Sequence, residues 1–548
     1  MPWYSRKQTN KKNTLTALSI NARQKTLIRF SPGNKKEKMN NRNTLLFVIA
    51  ALIVLTAAFA PASINPVYRF PAYGSIEMDE FQEIDNRIQE KIDDLNIPGA
   101  SLMIVEGDKI VHSHGFCNSG TDGVIPTPQT PFFIGSMTKS FTAMAVMQLA
   151  EEGRIELDAP VQQYLPWFTL ADPQASSSIT IRDLLNQTSG ISQLPGMIGL
   201  ANFDTSPNST EQQARALSTL ETTHSGEKQF EYSNVNFNLL GLVIENASGK
   251  TYAQYIQENI YAPLEMWNSY TDKSSARQNG LVTGHMMWFG FPVAVPDLSV
   301  PEGSLASGQL IASAEDIGHY IIAQINGGVY NGRNVVSAKS VSEMHQPAAD
   351  ISVSGLGVGH YGMGWFVREI ENDTLIFHHG EVPDYFSYMA LLPGHDRGFV
   401  LLFNTNQQMY NYAMWDLGET VARQLTGETP QPDNWWTLPW LLRALLLLPV
   451  IQITVILTFI KKINHWKVNP SIRPTKTKLW IIYICLPALL DLFYIAAAGV
   501  ILFSGMFGFI MLFMGDISSI LFVCGGISLV WLIGRIWLVG GLSARGVA

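Results

Sequence analysis

The sequence predicts an α/β (α+β) fold, in which an antiparallel sheet packs against a lobe of helices, followed by an all-α membrane region of three helices. Three observations support this prediction. Strand-like patterns stand at both ends of residues 75–430, and helical patterns fill the middle. Three later segments are long and apolar enough to cross a bilayer. Basic residues flank apolar segments, whereas the middle of the chain is acidic.

Composition separates the chain into regions. Hydrophobic residues make up 47% of the 548 residues and charged residues only 15%, with the apolar excess concentrated at Leu45–Ala60 and Trp440–Val539. Residues 61–438 hold 17 Lys/Arg against 42 Asp/Glu, and this acidic balance argues against a nucleic-acid partner. Cys117 is the one cysteine of that region, so no internal disulfide framework is expected there.

The N-terminal region is predicted to direct export. Residues 1–43 hold eleven Lys/Arg and one acid, and are predicted to be a basic disordered N-terminus. Residues 44–62 are predicted to be a signal peptide or an uncleaved signal anchor, because their apolar run is shorter than a span of ~20 residues and ends in small residues. Met39 is an alternative start to Met1. Either version would export the globular region C-terminal to it.

Residues 75–430 are predicted to form one globular unit, and local patterns predict its elements in order. Residues 195–225, rich in Ser, Thr and Asn, are expected to form a variable surface lobe. The helix at 313–325 is predicted to be capped by Ser313. Strands are predicted at 100–105, 109–114, 364–368, 374–378, 386–392 and 398–404, and helices at 136–153, 234–247, 252–261, 313–325 and 409–426.

Residues 438–540 are predicted to hold three transmembrane helices, at Trp440–Ile460, Leu479–Phe503 and Ile517–Val539. The segment Lys461–Lys478 contains six Lys/Arg and no acid, so the positive-inside rule places it in the cytoplasm. The globular unit is then extracellular, in agreement with the N-terminal signal. We therefore expect a multi-pass protein of the cell membrane with lipid as a partner.

One acidic residue, Asp491, lies near the middle of the second span, where an ionisable group is by default a functional hypothesis. Arg535 lies nearer the inner end of the third span, and a pairing between the two is not expected. Three spans with so few polar residues favour an anchor over a transporter.

The most informative motif is Ser136-x-x-Lys139 at the start of a predicted helix. Positions i and i+3 share a helix face, so the Lys139 ammonium can reach the Ser136 hydroxyl. Unpaired N–H groups at a helix N-terminus favour developing negative charge. The motif therefore fits covalent acyl transfer, although a serine at this place is also a common helix cap.

Two further motifs carry polar groups. Tyr232 and Asn234 stand two apart on a turn before a helix and can both project into one cleft. His378 and Gly380 lie on a predicted strand, where a glycine lets the backbone approach a ligand closely. Taken singly, these residues have ordinary explanations: Tyr232 as a core tyrosine, Asn234 as a helix cap and His378 as a hydrogen-bonded strand histidine.

Together the three motifs resemble the serine β-lactamase/penicillin-binding superfamily, in particular its class C β-lactamase and D-Ala-D-Ala carboxypeptidase branch. The resemblance covers roughly residues 80–425. Ser136–Lys139 matches the Ser-x-x-Lys motif, Tyr232–Asn234 matches Tyr-x-Asn, and His378–Gly380 stands where Lys-Thr-Gly or His-x-Gly is found. The phrases Thr188-Ser189-Gly190 and Tyr361-Gly362-Met363-Gly364-Trp365 also fit.

The resemblance implies a role for each matching residue. It implies that Ser136 is acylated and that Lys139 and Tyr232 share proton transfer. A tyrosine with a pKa near ~10 is a poor base at neutral pH, so Lys139 must help to ionise Tyr232 or act itself. The backbone N–H groups of Ser136 and Glu381 would form the oxyanion hole. The residues implied to bind substrate are Asn234, His378, Gly380 and Glu381.

Two positions depart from the branch. β-Lactamases usually carry lysine where this chain has His378, and an imidazole with a reference pKa near ~6.5 is mostly neutral above about pH 7. Weak or absent β-lactamase activity is therefore expected. Glu381 stands where glycine is common, and its side chain is expected either to narrow the cleft or to repel anionic substrates.

The sequence thus predicts a membrane-anchored extracellular serine hydrolase that acts through an acyl-enzyme on an amide or ester of a small-molecule, peptide or cell-wall substrate. A D-Ala-D-Ala carboxypeptidase is favoured; an esterase, a β-lactamase and a catalytically inactive penicillin sensor are the alternatives. No cofactor is implied and no protein partner is indicated. No metal site is expected, since the adjacent His378 and His379 face opposite sides of a strand.

Overall fold

A computed structural model gives the structure of the chain at residues 80–119, 125–223, 228–352, 357–430 and 432–544. These residues all fall within one of the chain's two units, Ala62–Ala548. The predictions made for residues 1–43 and 44–62 lie outside the described residues.

The centre of the globular part is an eight-stranded sheet in which every neighbouring pair is antiparallel. Its strands are β1 (Gly99–Glu106), β2 (Lys109–Cys117), β9 (Ala349–Asp350), β10 (His360–Tyr361), β11 (Phe366–Glu369), β12 (Thr374–Val382), β13 (Tyr385–Leu392) and β14 (Arg397–Phe403). They follow the order β2-β1-β14-β13-β12-β11-β10-β9 across the sheet. Smaller sheets contain β3 (Pro131–Phe133), β4 (His285–Trp288), β5 (Phe291–Ala294), β6 (Ile311–Ser313), β7 (Val329–Tyr330), β8 (Arg333–Asn334) and β15 (Thr405–Asn406).

Helices cover both faces of the sheet. Those of the globular part are α1 (Glu80–Leu95), α2 (Thr138–Glu151), α3 (Pro173–Ser178), α4 (Ile181–Leu185), α5 (Leu194–Ala201), α6 (Ser209–Ala216), α7 (Asn234–Ser248), α8 (Tyr252–Ile256), α9 (Lys273–Gln278), α10 (Leu305–Gly308), α11 (Ala314–Ile325), α12 (Ala338–Met344) and α13 (Gln408–Leu425). The predicted arrangement of an antiparallel sheet with a helical lobe is confirmed.

The central strands are mostly apolar because both faces of the sheet are buried. All eight residues of β13 are buried, and alternate side chains enter different cores. Met389 belongs to the core shared with the helical lobe, whereas Tyr388 belongs to the core shared with α1 and α13. The sheet therefore separates two hydrophobic layers.

Helix α2 is the central helix of the lobe, and every residue from Thr138 to Leu149 is buried. A helix that is covered on all sides holds its first turn rigidly, which matters for the serine that precedes it. Local signals set other helix ends as predicted: the Ser313 side chain accepts from the Asp316 backbone N–H at the start of α11. The predicted surface lobe at 195–225 includes α6 and most of α5.

The membrane region contains α14 (Leu438–Ala444), α15 (Leu447–Val468), α16 (Lys476–Trp480), α17 (Leu486–Phe503), α18 (Phe507–Phe513) and α19 (Gly515–Ala544). Within the described residues three stretches are long and apolar enough to cross a membrane, namely Trp435–Val468, Lys476–Phe503 and Gly515–Leu542. The short helix α18 between the second and third stretches was not predicted.

Asp491 and Arg535 form an ion pair between α17 and α19, with 2.5 Å between Oδ2 and Nη1. The expectation that they would not pair was wrong. From the sequence, the two residues lie at different positions along their spans. The long arginine side chain nevertheless extends along the helix, so that its charged end reaches the carboxylate. The pairing leaves neither charge alone in an apolar environment.

Candidate active site

Ser136 lies in a short 3₁₀ turn, Gly135–Met137, directly before α2. Gly135 has a φ of +52°, and a Cβ there would collide with the backbone nitrogen of Glu381 on β12. Only glycine suits this position, since it combines a left-handed conformation with a close backbone contact. The turn therefore holds Ser136 where the helical lobe meets the sheet.

Lys139 is completely buried beside Ser136. Its Nζ lies 2.9 Å from Ser136 Oγ, 2.8 Å from Asn234 Oδ1 and 2.6 Å from the carbonyl oxygen of Ser307. Burial lowers the pKa of Lys139 well below its usual 10.5.

The partners of Lys139 match a neutral amine. A neutral amine has two N–H donors and one lone pair. An ammonium could donate to all three partners, but the lowered pKa favours the neutral amine. The Asn234 and Ser307 oxygens can only accept, so in the neutral form they take the two donors and the lone pair faces the Ser136 hydroxyl. This arrangement allows Lys139 to receive the Ser136 proton.

Tyr232 is the third predicted catalytic group, and its hydroxyl hydrogen-bonds to Ser136. Its ring centroid lies 5.0 Å from the Lys139 Nζ. Burial raises the pKa of Tyr232 above 10, the nearby Glu381 charge adds to this, and the bond to Ser136 opposes it. The structure thus brings the serine, lysine and tyrosine together, with the phenol in its neutral form.

Gln187 positions the turn that carries Tyr232 and Asn234. Its Oε1 accepts from the Ser233 backbone N–H at 3.0 Å and from the Asn236 amide at 2.6 Å. Gln187 itself has a φ of +59° at the end of a helix. The sequence analysis did not single out this residue, although it directly precedes the Thr-Ser-Gly phrase that fits the resemblance.

On the opposite wall, His378 is completely buried and its side chain is not among those that line the cleft. Its Nδ1 donates to the His379 carbonyl oxygen at 2.6 Å, and its Nε2 lies 3.3 Å from the Tyr361 hydroxyl. Burial, aided by the neighbouring His379 and Lys139, lowers the pKa of His378 well below 6.5. The geometry therefore does not favour the predicted substrate contact of His378.

His379 and Glu381 line the cleft instead, because side chains alternate along β12. Burial lowers the pKa of His379 to about 4, so its ring is neutral, and it stacks on Trp415 at 4.7 Å between centroids. Burial raises the pKa of Glu381 to about 7, with the nearby Asn411 side chain working in the other direction. Glu381 was predicted as a site residue from the sequence, and His379 was not.

Gly380 lies between these two residues and packs against the turn before Ser136. A Cβ at Gly380 would collide with the carbonyl oxygen of Ile134. Because Gly380 has no side chain, β12 packs closely on this turn, and the Glu381 backbone nitrogen lies next to Gly135, the residue before Ser136. The predicted oxyanion hole needs this nitrogen near Ser136.

The cleft formed by these walls has a volume of about 240 Å³. The lining residues with polar side chains are Ser136, Gln193, Tyr232, Asn234, His379, Glu381 and Gln408. Six of the seven predicted site residues lie in or directly beneath this cleft, and His378 lies behind it.

A second polar cluster lies on α1 and β2. The Asp85 carboxylate is 2.9 Å from both His112 Nε2 and His114 Nδ1, and the three could hold a metal ion. This group was not predicted from the sequence, although two histidines two residues apart share one face of a strand. The short distances are those of hydrogen bonds between the carboxylate and the two imidazoles.

The sheet, its helical lobe, and a serine and lysine at their junction are the features of serine hydrolases related to β-lactamases and penicillin-binding proteins. The sequence model of the beta-lactamase family matches residues 84–421, and the chain belongs to that family. The predicted resemblance is confirmed.

Individual relatives agree. Protein flp of Staphylococcus aureus (strain MW2) is 31% identical over 335 residues, which are 60% of this chain and 64% of that protein. The chain thus spans just under two thirds of the length of that curated relative. Penicillin-binding protein 4 of Amycolatopsis lactamdurans is 28% identical over 62% of this chain and 90% of its own length. The octameric penicillin-binding protein homologue from Pyrococcus abyssi has 27% identity and a TM-score of 0.57, covering 65% of this chain and 80% of its own.

Proposed function

We propose that the chain is a membrane-anchored extracellular serine hydrolase that forms an acyl-enzyme at Ser136 and cleaves an amide or ester bond next to a D-alanyl residue. It would act as a penicillin-binding carboxypeptidase of cell-wall metabolism. The observation that carries this proposal is the buried Lys139, whose hydrogen-bond partners and lowered pKa suit a neutral base within 2.9 Å of the Ser136 hydroxyl.

The reaction begins with proton transfer from Ser136 to Lys139 as Oγ attacks the carbonyl carbon. The backbone N–H groups of Ser136 and Glu381 stabilise the negative charge that forms on the carbonyl oxygen. Tyr232 donates its proton to the leaving nitrogen or oxygen, and the Lys139 ammonium returns a proton to the phenolate. Water then releases the acyl group from Ser136. The raised pKa of Tyr232 supports this role as an acid rather than as the first base.

Asn234 would orient the substrate. Its Oδ1 accepts from Lys139, so its amide nitrogen remains for a carbonyl oxygen of the substrate. Asn234 lines the cleft next to Ser136, which places this donor beside the reacting bond.

Extracellular placement is supported by the basic residues Lys461 to Lys478, which connect the first two spans. Under the positive-inside rule they lie in the cytoplasm, and the globular part that precedes the first span lies on the other side. The name of one relative, penicillin-binding protein 4, supports testing the chain with penicillins.

Labelling of the full chain in membranes with a fluorescent penicillin and with a fluorophosphonate tests the proposal. Wild type should be labelled by at least one probe, and Ser136→Ala should lose the label. Ser140→Ala is a matched control, because its hydroxyl bonds to the Met137 carbonyl within the same helix. Absence of labelling in folded wild type would contradict the proposal and favour a penicillin sensor without catalytic activity.

Substrate profiling separates the finer alternatives. D-Ala-D-Ala peptides, short-chain esters and nitrocefin should be compared with the same preparation. We expect turnover of peptides or esters and slow nitrocefin hydrolysis, because the buried neutral His378 supplies no fixed positive charge for a carboxylate. Fast nitrocefin turnover would instead identify a β-lactamase.

A further inference from the structure

One wall of the cleft comes from the membrane region. Helix α18, between the second and third spans, packs against α5, and its Phe509 and Phe513 line the same cleft as Ser136. Neither α5 nor α18 contains a polar side chain. The two helices approach closely, since a Cβ at Gly508 would lie 3.2 Å from the Ala201 Cβ.

Hydrogen bonds hold the cleft against the ends of the spans. Asp516, in the first turn of α19 and only 1% exposed, accepts from the Gln407 amide and from the Phe289 backbone N–H, each at 3.1 Å. Gln407 caps α13, and the next residue along, Gln408, lines the cleft. These hydrogen bonds therefore fix the position of the cleft relative to the start of the third span.

The first span attaches on the same side. Arg443 donates to the Gly290 carbonyl at 3.1 Å, at the tip of the β4–β5 hairpin that also carries Phe289. Nearby, Trp436 and Trp440 are exposed at the start of this span, as expected of aromatic residues at a membrane interface. The globular part thus meets the membrane region at the starts of two spans.

The cleft has both polar and apolar lining. Its polar side chains include Ser136, Tyr232 and Asn234, and α5 and α18 add Met197, Leu200, Phe509 and Phe513. Phe513 stands two residues before Gly515, where the third span begins. The apolar side chains of the cleft therefore lie next to the start of a candidate span.

We propose that the substrate is an amphiphile held in the bilayer, whose polar part carries the scissile amide or ester to Ser136 while its apolar part stays against α5, α18 and the lipid. This inference rests on the proposed function and adds the substrate class to it. An apolar rim between two candidate spans suits the apolar part of such a molecule.

A matched pair of esters tests the inference with the full chain reconstituted in vesicles of phosphatidylglycerol and phosphatidylethanolamine. The pair is N-hexadecanoyl-D-alanyl-D-lactate, which partitions into the vesicles, and N-acetyl-D-alanyl-D-lactate, which stays in solution. We expect kcat/KM for the first ester to exceed that for the second by about tenfold or more. Equal values, or faster cleavage of the soluble ester, would overturn the inference.

Any enzyme anchored in the vesicle would cleave the hexadecanoyl ester faster, because enzyme and ester are confined to the same surface. Variants therefore supply the decisive comparison. The double variant Phe509→Ser with Phe513→Ser should lower the ratio of the two kcat/KM values by about fivefold or more. Phe503→Ser, at an 84% exposed position of the second span, should keep the wild-type ratio. The double variant Phe509→Leu with Phe513→Leu keeps the wall apolar and should retain most of the preference.

Two other outcomes are informative. If the serine double variant accelerates both esters equally, α18 is a plug over the cleft, and the inference is overturned. Fluorophosphonate labelling of Ser136 in the same vesicles reports on the proposed function separately. Labelling without a substrate preference removes only the inference, whereas absence of labelling and turnover removes the proposed function and the inference together.

Discussion

The two walls of the cleft differ in what they contribute. The helical wall carries Ser136, Lys139 and Asn234, whose polar atoms are hydrogen-bonded to one another. The strand wall carries His379 and Glu381, which can change charge but make no such closed set with the serine. The helical wall therefore supplies the proposed catalytic groups, and the strand wall sets the charge close to the substrate.

Burial acts on both walls in the same direction, towards neutral side chains. It lowers the pKa of Lys139 and of His378, lowers that of His379 to about 4, and raises that of Glu381 to about 7. The pKa of Glu381 thus lies close to neutrality, whereas that of His379 lies well below it. We therefore expect a pH dependence around neutrality from the strand wall, at Glu381, a position where the resemblance implies glycine.

The largest effect is expected on the helical wall. Lys139→Met should slow acylation of Ser136 by roughly 10²- to 10⁴-fold, because it removes the base without adding a charge to the buried site. Its midpoint of thermal unfolding should fall, because the Asn234 and Ser307 oxygens lose their donor, but the protein should remain folded. Time-resolved fluorophosphonate labelling measures the rate. Labelling at the wild-type rate would show that Lys139 is not the base.

Gly380→Ala tests how closely the two walls must approach. The added Cβ would collide with the Ile134 carbonyl, so the variant should lose about 1–3 kcal/mol of unfolding free energy and should acylate more slowly. Gly499→Ala is the control, because a Cβ there meets nothing within 4 Å. Denaturant unfolding of the two variants gives the difference. Equal stability would mean that the strand can move away from the serine turn without cost.

The helical wall could be predicted from the sequence because its geometry is local. Ser136 and Lys139 lie one turn apart on a single helix, and any helix at that place brings them together. The strand wall depends on which face of β12 meets the cleft. A shift of one residue exchanges the two faces of a strand, so the sequence could not distinguish His378 from His379.

In the fold, too, elements with a local sequence pattern could be predicted, and elements placed by tertiary packing could not. Long strands and helices with a clear period, such as β13 and α11, were predicted within a few residues. The short helix α18 has no such period, and it packs on α5 from about three hundred positions away in the sequence. Its place in the cleft wall, like the contact between Asp516 and Gln407, results from tertiary packing that no local pattern records.

Glu381→Gln should change the pH profile of acylation. In wild type the rate should fall as pH rises through about 7, since the carboxylate that forms lies beside the oxygen that becomes negative. The isosteric amide stays neutral, so the variant should keep its rate and exceed wild type several-fold at pH 8. Glu371→Gln, at an exposed position, is the control. An unchanged fall in the Glu381 variant would place the titrating group elsewhere.

The free energy of unfolding should also depend on pH through Glu381. The native pKa of Glu381, about 7, lies above its reference value of 4.5, so the native state holds more protons than the unfolded state between these values. Stability from this group is therefore lost as pH rises from about 4.5 to 7. Glu381→Gln should flatten that part of the profile of unfolding free energy against pH.

The smallest effect is expected from His378→Asn. The asparagine amide can replace the Nδ1–H donor that bonds to the His379 carbonyl, and the imidazole it replaces is already neutral and buried. Acylation should stay within about twofold of wild type between roughly pH 5.5 and 7.5, with a loss of about 1 kcal/mol of stability from the missing contact to Tyr361. If the inflection near neutral pH vanished in this variant and persisted in Glu381→Gln, His378 would be the titrating group, and the assignment of charge along the strand wall would be reversed.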